Sequence, residues 1–343
     1  MNKLFCYRPK GPDPVARFKV ENLRGDILRL GREYPGARVA MEVGTHSPWV
    51  SRLLGEMGLE VIVANARKLR AIYGNERKSD RADAEILARV ARVDPALLYG
   101  VEHGSEEDQR GLLHIKGRDV LVRQRVNIIS SVRFSLKSLG IRLDPCSPGC
   151  FAARARVALG CEHPEILSAL APSLGAIEAL CAAVKEYDAA IVALTARRPE
   201  VQRLRQIAGV GPVTALCFTL VIGNPERFRD TRDVGAYLGL VPRRDQSGDT
   251  DKQLGISKAG NPYLRRLLVQ CATYIIGPHG PESDLRRHGL RLAARGGTAA
   301  KKRAAVAVAR KLSVVMLALW KAGGEYLPLR RRGQRPDPRR QAA

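Results

Sequence analysis

The sequence predicts an α/β N-terminal domain followed by a mostly α-helical connector and a mostly α-helical C-terminal domain. Residues 38–64 have the strand, helix and strand pattern of a β-α-β unit. Beyond residue 105, apolar residues recur at helical spacing through long segments. The 343 residues, 45% of them hydrophobic, suffice for two folded cores. The predicted divisions are 1–100, 101–200, 201–325 and a disordered basic tail over 326–343.

The charge of the chain indicates a polyanionic partner. There are 58 Lys and Arg against 34 Asp and Glu, a formal net charge of +24, and nucleic acid is the first candidate for such a surplus. Aromatic residues make up only 5%, so platforms for stacking unpaired bases are scarce and recognition of backbone and shape is favoured. No membrane-spanning apolar run and no signal segment are recognisable, which predicts a cytoplasmic, nucleoid-associated protein without a membrane partner.

The β-α-β unit is predicted in detail. Before it, the first 20 residues are weakly patterned, with a turn at 11–14 and no recognisable strand. The elements that follow are a helix over 24–32, a strand over 38–43, a helix over 49–57 and a strand over 59–64. The last strand is continuously apolar, as in buried parallel sheets. Glu42 ends the first strand, at the edge where open α/β sheets bind ligands.

Two acids open the next helix. Asp80 and Asp83 are three residues apart, which places them on one helix face, and that face continues through Leu87 and Val90. Two carboxylates at the edge of a core repel each other and lose hydration, and a divalent cation relieves both effects. The alternative is a solvated first turn in which acids complement the helix dipole.

Three carboxylates can therefore converge at one end of the sheet: Glu42, Asp80 and Asp83. Mg²⁺ is the expected cofactor, because hard cations prefer oxygen ligands. His46 either joins this site or has a capping or structural role. The intervening basic loop supplies candidate nucleic-acid contacts, which are Arg67, Lys68 and Lys78.

A long helix is predicted from residue 106 to about residue 140. Its apolar seam is Val122, Val126, Ile129, Val132, Leu136 and Leu139. Its outer face is basic and includes Arg123 and Arg125. This helix is either an ordinary bundle helix with a solvated face or a helix that dimerises or lines nucleic acid. After a break at 144–149, residues 150–200 predict a helical hairpin or coiled-coil connector.

Seven cysteines are scattered along the chain. Cys146, Cys150 and Cys161 could suggest zinc, but no second Cys-x-x-Cys or His-x-x-x-His pair follows them. Reduced thiols are therefore the favoured interpretation.

The last third contains two loop motifs. Gly209-Val210-Gly211 between two helices is typical of a helix-hairpin-helix turn, where Gly209 and Gly211 let backbone amides approach a phosphate. Ser247 lies in a loop flanked by glycines and cations, the ingredients of a phosphoryl-transfer nucleophile. The flanking cations are Arg243, Arg244, Lys258, Arg265 and Arg266. The alternative is a hairpin that grips phosphates without chemistry. Ser257 is a rival nucleophile, although capping of the following helix suits it better.

These motifs occur in an order that resembles the DEDD transposases of bacterial insertion sequences, of the insertion-sequence 110 type. The likeness covers about residues 20–325 and is carried by Glu42, Lys78-Ser79-Asp80, Asp83, Gly209-Val210-Gly211-Pro212, Gly239-Leu240-Val241-Pro242, Ser247-Gly248 and Ile256-Ser257-Lys258. It implies an RNase-H-fold, RuvC-like metal-binding N-terminal domain and a C-terminal serine transposase domain. Glu42, Asp80 and Asp83 match the second, third and fourth acids of the family, and Ser247 matches its serine.

One departure concerns the first acid. The family carries it on an opening strand, in a pattern like Gly-Ile-Asp, and nothing before Glu42 matches. Asp13 is the only acid among the first 20 residues, and it lies in a Gly-Pro-Asp-Pro turn. The expected fold is therefore truncated at its first strand, or the copy is degenerate.

The resemblance implies a recombinase that cuts and rejoins donor and target DNA by Mg²⁺-dependent, serine-mediated strand exchange. It also implies guidance by a structured RNA and assembly as a homodimer or tetramer. Two alternatives remain. One is a hydrolytic RuvC-like nuclease, and the other is a catalytically inactive nucleic-acid-binding remnant, which the missing first acid favours.

Overall fold

The computed structural model describes residues 2–7, 14–65, 68, 80–160, 162–247 and 250–329. The chain divides after Glu106 into two compact units, called unit 1 and unit 2. The predictions for Arg67, Lys78, Cys161, most of the turn at 11–14 and the tail from residue 330 onward lie outside the described residues.

Unit 1 contains the predicted β-α-β unit. Strands β3 (Arg38–Glu42) and β4 (Glu60–Ala64) flank helix α2 (Ser47–Glu56). The two strands pair in parallel, with Arg38 opposite Glu60 and Glu42 opposite Ala64. Helix α1 (Arg24–Glu33) packs beside α2, and their shared core includes Ile27, Val50, Leu53, Leu54 and Leu59. The continuous apolar pattern of residues 59–64 therefore predicted the parallel strand pair correctly.

Two strands precede the β-α-β unit, and the expectation of no strand there is wrong. Strand β1 (Asn2–Tyr7) pairs antiparallel with β2 (Pro14–Val20), with Phe5 opposite Arg17. Strand β1 shows no apolar alternation, but β2 does, with Ala16, Phe18 and Val20 apolar and Arg17 and Lys19 charged, so the prediction missed a local strand signal in β2. Neither strand contains Asp or Glu, so neither supplies the missing first acid.

Helix α3 (Asp80–Val93) packs along β3, and it runs in the opposite direction. Arg38, at the start of β3, donates a hydrogen bond from Nη1 to the carbonyl of Ala91 near the end of α3, at 3.0 Å. Leu87 and Ala91 join Ala40, Ile62 and other residues in one buried cluster. The first turn of α3 therefore points toward the carboxyl end of β3. A 3₁₀ helix (Pro95–Leu98) follows α3.

Unit 2 is mostly helical. Its elements are α4 (Glu106–Ser138), α5 (Phe151–Gly160), α6 (Pro164–Ala196), α7 (Pro199–Leu204), α8 (Pro212–Ile222), a 3₁₀ helix (Pro225–Arg227), α9 (Asp233–Tyr237), β5 (Pro242–Ser247), β6 (Thr250–Ile256), α10 (Pro262–Ile276), α11 (Asp284–Ala293) and α12 (Gly297–Ala322). The main core surrounds α8, which is almost wholly buried, with α6, α7 and α10 packed against it.

A second core joins the end of α4 to the α5–α6 hairpin, as the helical-hairpin interpretation predicted. Val132, Leu136, Phe151, Leu159 and Leu174 are among its buried residues. The break at 144–149 lies between α4 and α5 and is held in place. Arg133 of α4 donates to the carbonyls of Leu143 at 2.8 Å and Asp144 at 3.0 Å.

The predicted seam of α4 is only partly buried. Val132 and Leu136 are buried, whereas Val126 and Leu139 are exposed. Helical spacing marks a face of the helix, but the α5–α6 hairpin covers only the last turns of that face.

Helix α6 differs from the prediction that no apolar run is long enough to span a membrane. By length and composition alone it could cross a membrane, and little of its apolar stretch is buried within the chain. Two of its four acids form ion pairs: Glu178 with Arg156 at 3.2 Å, and Asp188 with Arg118 at 2.5 Å. The apolar stretch was overlooked because these scattered charges interrupt the sequence.

Candidate functional site

The acidic edge of unit 1 is set by two elements. Glu42 is the exposed last residue of β3, and Asp83 is partly buried in the first turn of α3. From the Arg38–Ala91 contact, Asp83 lies eight residues back along α3, about 12 Å. Glu42 lies four residues along β3, about 13 Å in the same direction. The backbone at Glu42 and at Asp83 therefore lies toward the same end of the sheet, and Asp80 begins the same helix.

The donor chemistry at this edge fits a hard cation. Glu42 and Asp83 are oxygen ligands of the kind Mg²⁺ prefers, and neither forms an ion pair with another described residue. The described side chains, which do not include that of Asp80, contain no group of three His, Cys, Asp or Glu arranged for a metal. The structure thus brings two of the three predicted acids to one edge.

A serine–histidine pair next to this edge was missed by the sequence analysis. Ser47 is 5% exposed, and its Oγ lies 2.9 Å from His103 Nε2 and 2.8 Å from the Gly44 carbonyl oxygen. The Gly44 amide also donates to Ser47 Oγ at 3.0 Å. These bonds fix the loop that follows Glu42. The partners are 56 residues apart in sequence, so no local pattern could indicate them.

His46 does not join the acidic edge through any described contact. Its Nδ1 accepts a hydrogen bond from Trp49 Nε1 at 3.3 Å, and its side chain makes no capping bond to α2. The described contact of His46 is therefore a structural one, to Trp49, and His46 does not cap α2.

The two glycines before α8 differ in their roles. Gly209 has φ +87°, and a Cβ there would lie 2.7 Å from Tyr274 Cδ1 of α10. Glycine is thus required by conformation and by packing. Gly211 occupies the N-cap of α8 with ordinary φ, and a Cβ there would meet no atom within 4 Å. The predicted turn between two helices is present, and open space adjoins its second glycine.

Ser247 is the last residue of β5, in an antiparallel hairpin in which it pairs with Thr250 of β6. The base of this hairpin is fixed. Ser257 N donates to the Val241 carbonyl at 2.9 Å, and Lys258 N donates to the Gly239 carbonyl at 3.1 Å. A Cβ at Gly239, which has φ +69°, would overlap the backbone of Ala259. Only glycine permits so close an approach.

Arg265 fastens the same base from α10. Its Nη1 donates to the carbonyls of Leu238 at 2.9 Å and Ala259 at 2.5 Å. The Arg265 guanidinium therefore donates hydrogen bonds to backbone carbonyls at the base of the hairpin. Arg243 and Lys258 are exposed, and Lys258 has a left-handed φ of +54°. Arg244 lies in β5, opposite Gln253.

Ser257 does not cap α10, contrary to expectation. Asn261 caps it, because its Oδ1 accepts from the amides of Tyr263 at 2.9 Å and Leu264 at 3.0 Å. Pro262 at the first helical position fixes the start of the helix at that point. The Ser257 Oγ accepts a longer bond, 3.5 Å, from Ala259 N.

The remaining predicted cations have mixed surroundings. Arg266 and Arg123 share the carboxylate of Asp119, at 2.5 and 3.1 Å. Arg125 donates to Cys181 Sγ at 3.6 Å, and its buried Nε has no hydrogen-bond partner among the described residues. Lys68 is exposed, with its ammonium 4.1 Å from the centre of the Tyr99 ring. Cys146 and Cys150 are free thiols.

Comparison with known proteins identifies the chain. The Transposase IS116/IS110/IS902 family model matches residues 201–286, and an IS110-type DEDD transposase model matches residues 16–140. The transposase for insertion sequence element IS1328 of Yersinia enterocolitica is 30% identical over 242 residues, 69% of this chain and 70% of that protein. The chain belongs to the IS110 family of insertion-sequence transposases. It is therefore an enzyme of a class that acts on DNA.

Other relatives agree with this assignment. The IS1111A transposase of Coxiella burnetii is 30% identical over 298 residues, 82% of this chain and 77% of that protein. A pilin gene-inverting protein of Moraxella lacunata is 32% identical over 117 residues, 34% of this chain and 35% of that protein. In this IS110-family transposase, the family match over residues 16–140 includes the acidic edge, and the match over residues 201–286 includes the Ser247 hairpin.

His103 should make unit 1 sensitive to acid. Burial, with a smaller contribution from Arg52, lowers the pKa of His103 below its usual value of about 6.5. The unfolded chain then binds the proton more readily than the folded chain, so stability is lost as pH falls through the folded pKa. We expect the free energy of unfolding of unit 1 to fall between about pH 7 and pH 5, and less steeply in His103→Gln.

Urea unfolding of the full chain at the two pH values measures this effect. His288→Gln, which changes a histidine of unit 2, is the matched control and should leave the unit 1 response unchanged. An identical pH response in His103→Gln and the unsubstituted chain would contradict the assignment.

Proposed function

We propose that this IS110-family transposase cuts and rejoins DNA by serine-mediated strand exchange that depends on Mg²⁺. The observation that supports this most strongly is the β5–β6 hairpin. Its fixed base holds Ser247 at the end of β5, and a nucleophile must be held near its target to react efficiently.

Ser247 would attack a backbone phosphorus. The Oγ loses its proton as it bonds to phosphorus, the bond to the leaving deoxyribose oxygen breaks, and that oxygen takes up a proton. A serine hydroxyl is a weak nucleophile and requires nearby positive charge for the phosphorane. Arg243 and Lys258 are exposed near the hairpin and suit this role. Arg265 instead acts as a positioning residue, since it binds the carbonyls of Leu238 and Ala259.

The acids of unit 1 would hold the metal. Glu42, Asp83 and, from the same helix turn, Asp80 supply oxygen ligands. When bound, Mg²⁺ polarises a phosphate oxygen and stabilises negative charge. The Ser47–His103 pair and the Gly44 contacts keep the loop after Glu42 in place. We propose an RNase-H-like, RuvC-like role for unit 1 on the strength of its parallel β-α-β unit and this acidic edge.

A hydrolytic RuvC-like nuclease is the second candidate, because the acidic edge needs no serine to support hydrolysis. A catalytically inactive remnant is the third, since β1 and β2 contain no acid. The products separate these candidates: strand exchange passes through a covalent protein–DNA intermediate, hydrolysis leaves a free nick, and the remnant leaves DNA intact.

The decisive experiment follows the covalent intermediate. Full-length protein is incubated with Mg²⁺ and DNA of an insertion-sequence end, with and without a structured RNA from the same element, and then denatured. We expect a denaturation-resistant protein–DNA adduct that depends on the guide RNA. Ser247→Ala should abolish it, because the attacking oxygen is gone.

Ser257→Ala is the matched control and should retain the adduct. Mapping of the adduct to Ser257 would refute the Ser247 assignment. Strand cleavage without any adduct would favour the hydrolytic nuclease.

We further propose that the transposase assembles as a homodimer, with a tetramer as the higher-order alternative. Three exposed apolar residues recur along one face of α4 at heptad spacing: Leu113 at 65%, Val120 at 45% and Phe134 at 71% exposure. Asn127 occupies the intervening heptad position. An exposed heptad stripe favours a second helix as its cover.

Val120→Glu combined with Phe134→Glu should disrupt the dimer, because it places charge on the stripe. Sedimentation equilibrium should show the mass falling from two chains to one. Val93→Glu combined with Val157→Glu also places two acids on exposed valines, and it should remain dimeric. A dimer that survives the first pair of substitutions would exclude this face as the interface.

A further inference from the structure

The α11–α12 helical hairpin contains no acid along most of its length. Between Asp284 and Glu325 there is neither Asp nor Glu. The cations in this interval are Arg286, Arg287, Arg291, Arg295, Lys301, Lys302, Arg303, Arg310, Lys311 and Lys321. The family match to unit 2 ends at residue 286, so this stretch is a feature of the chain that the match does not explain.

Two of these cations have structural partners. Arg286 binds the carbonyls of Ile275 and Gly277, and Lys321 binds the Phe228 carbonyl at 2.8 Å. A third, Arg287, forms an ion pair with Glu282 at 2.5 Å. Within the described part of the chain, the others form no ion pair with an acid. Most of the charge on the hairpin is therefore uncompensated.

Exposed arginines follow α11. Arg287, which pairs with Glu282, and Arg291 are exposed one helical turn apart on the same face of α11. Arg295 is exposed in the turn that follows the helix, and the three residues are called the arginine stripe. Helix α12 packs closely beside it, since a Cβ on Gly289 would lie 2.7 Å from Val308 Cγ2. The hairpin is thus a rigid support for the stripe.

Helix α12 adds to the same positive region. Burial first, then Lys311 and Arg291, lower the pKa of His288 in α11. Lys311 of α12 is exposed and lies near enough to act on the same histidine as Arg291. Lys301, Lys302 and Arg303 are exposed in the first turns of α12.

The chemistry of the hairpin suits a phosphate backbone. From residue 285 to residue 319 there is no Phe, Tyr or Trp, so unpaired bases have no aromatic platform for stacking. Duplex DNA presents one negative charge for about every 1.7 Å of its axis. The arginine stripe and the exposed cations in the first turns of α12 complement that regular charge.

We propose that the α11–α12 hairpin binds the phosphate backbone of duplex DNA, without reading its sequence. This inference rests on the transposase acting on DNA, and it does not depend on the serine mechanism. Contacts to phosphates hold a protein in position on a duplex, whereas contacts to base edges specify sequence.

The salt dependence of binding tests this surface. The variant is Arg291→Gln, Arg295→Gln and Lys311→Gln in the full chain, made on a Ser247→Ala background so that no chemistry occurs. Each lost phosphate contact reduces the slope of log affinity against log salt by about 0.9. We expect the slope for duplex DNA to become shallower by about 2.7, with the affinity lowered equally for unrelated duplex sequences.

The matched control removes the same charge elsewhere, by Arg24→Gln, Arg32→Gln and Lys185→Gln, which are all exposed. Its slope should stay close to that of the unsubstituted chain. A charge-preserving variant, Arg291→Lys, Arg295→Lys and Lys311→Arg, should keep the full slope and so exclude misfolding as the cause.

Three outcomes would overturn the proposal. The first is an unchanged slope in the glutamine variant, and the second is an equal loss in the matched control. The third is a loss seen with duplex or single-stranded RNA but not with duplex DNA, which would assign the surface to RNA. Failure of the serine mechanism would appear only in the adduct assay, since these measurements require binding alone.

Discussion

The packing of α3 along β3 is the interaction on which the acidic edge depends. Leu87 and Ala91 are buried against Ala40 and Ile62, and Arg38 is bonded to the Ala91 carbonyl. Burial of a leucine side chain contributes about 1.5–3 kcal/mol, so a shift of α3 by one turn would be opposed by this core. Because the helix is held in this register, Asp83 and Glu42 lie toward the same end of the sheet. The proposed binding of one cation by both acids depends on that alignment.

The sequence predicted the elements whose signal is local. The apolar run of β4 and the helical spacing in α6 were sufficient for the parallel pair and the helical hairpin. The β1–β2 pair was only partly visible in the sequence, because β2 alternates apolar and charged residues whereas β1 does not, and no local pattern shows that the two strands pair. Ser47 and His103 share a hydrogen bond across 56 residues, which no periodicity reveals. In the same way, the sequence alone does not distinguish the roles of Arg265 and Arg243. Only the fold shows that the Arg265 guanidinium donates hydrogen bonds to backbone carbonyls.

The large positive charge is divided between two uses. Some arginines stabilise the fold: Arg133 binds the carbonyls before α5, and Arg198 pairs with Glu107 at 2.7 Å and Asp108 at 3.3 Å. Others remain uncompensated on the surface, above all along the α11–α12 hairpin. A net charge therefore indicates a nucleic-acid partner, whereas the distribution of ion pairs indicates which surface meets it.

The central proposal is that Glu42 and Asp83, with Asp80, hold one metal ion at the end of β3. Binding of Mn²⁺, used in place of Mg²⁺ and followed by electron paramagnetic resonance, tests it without catalysis. Asp83→Asn and Glu42→Gln should each weaken binding by at least the roughly 10- to 100-fold expected for a lost outer-sphere partner. Glu56→Gln, at the exposed end of α2, should bind Mn²⁺ normally. Unchanged Mn²⁺ affinity in Asp83→Asn would contradict the account.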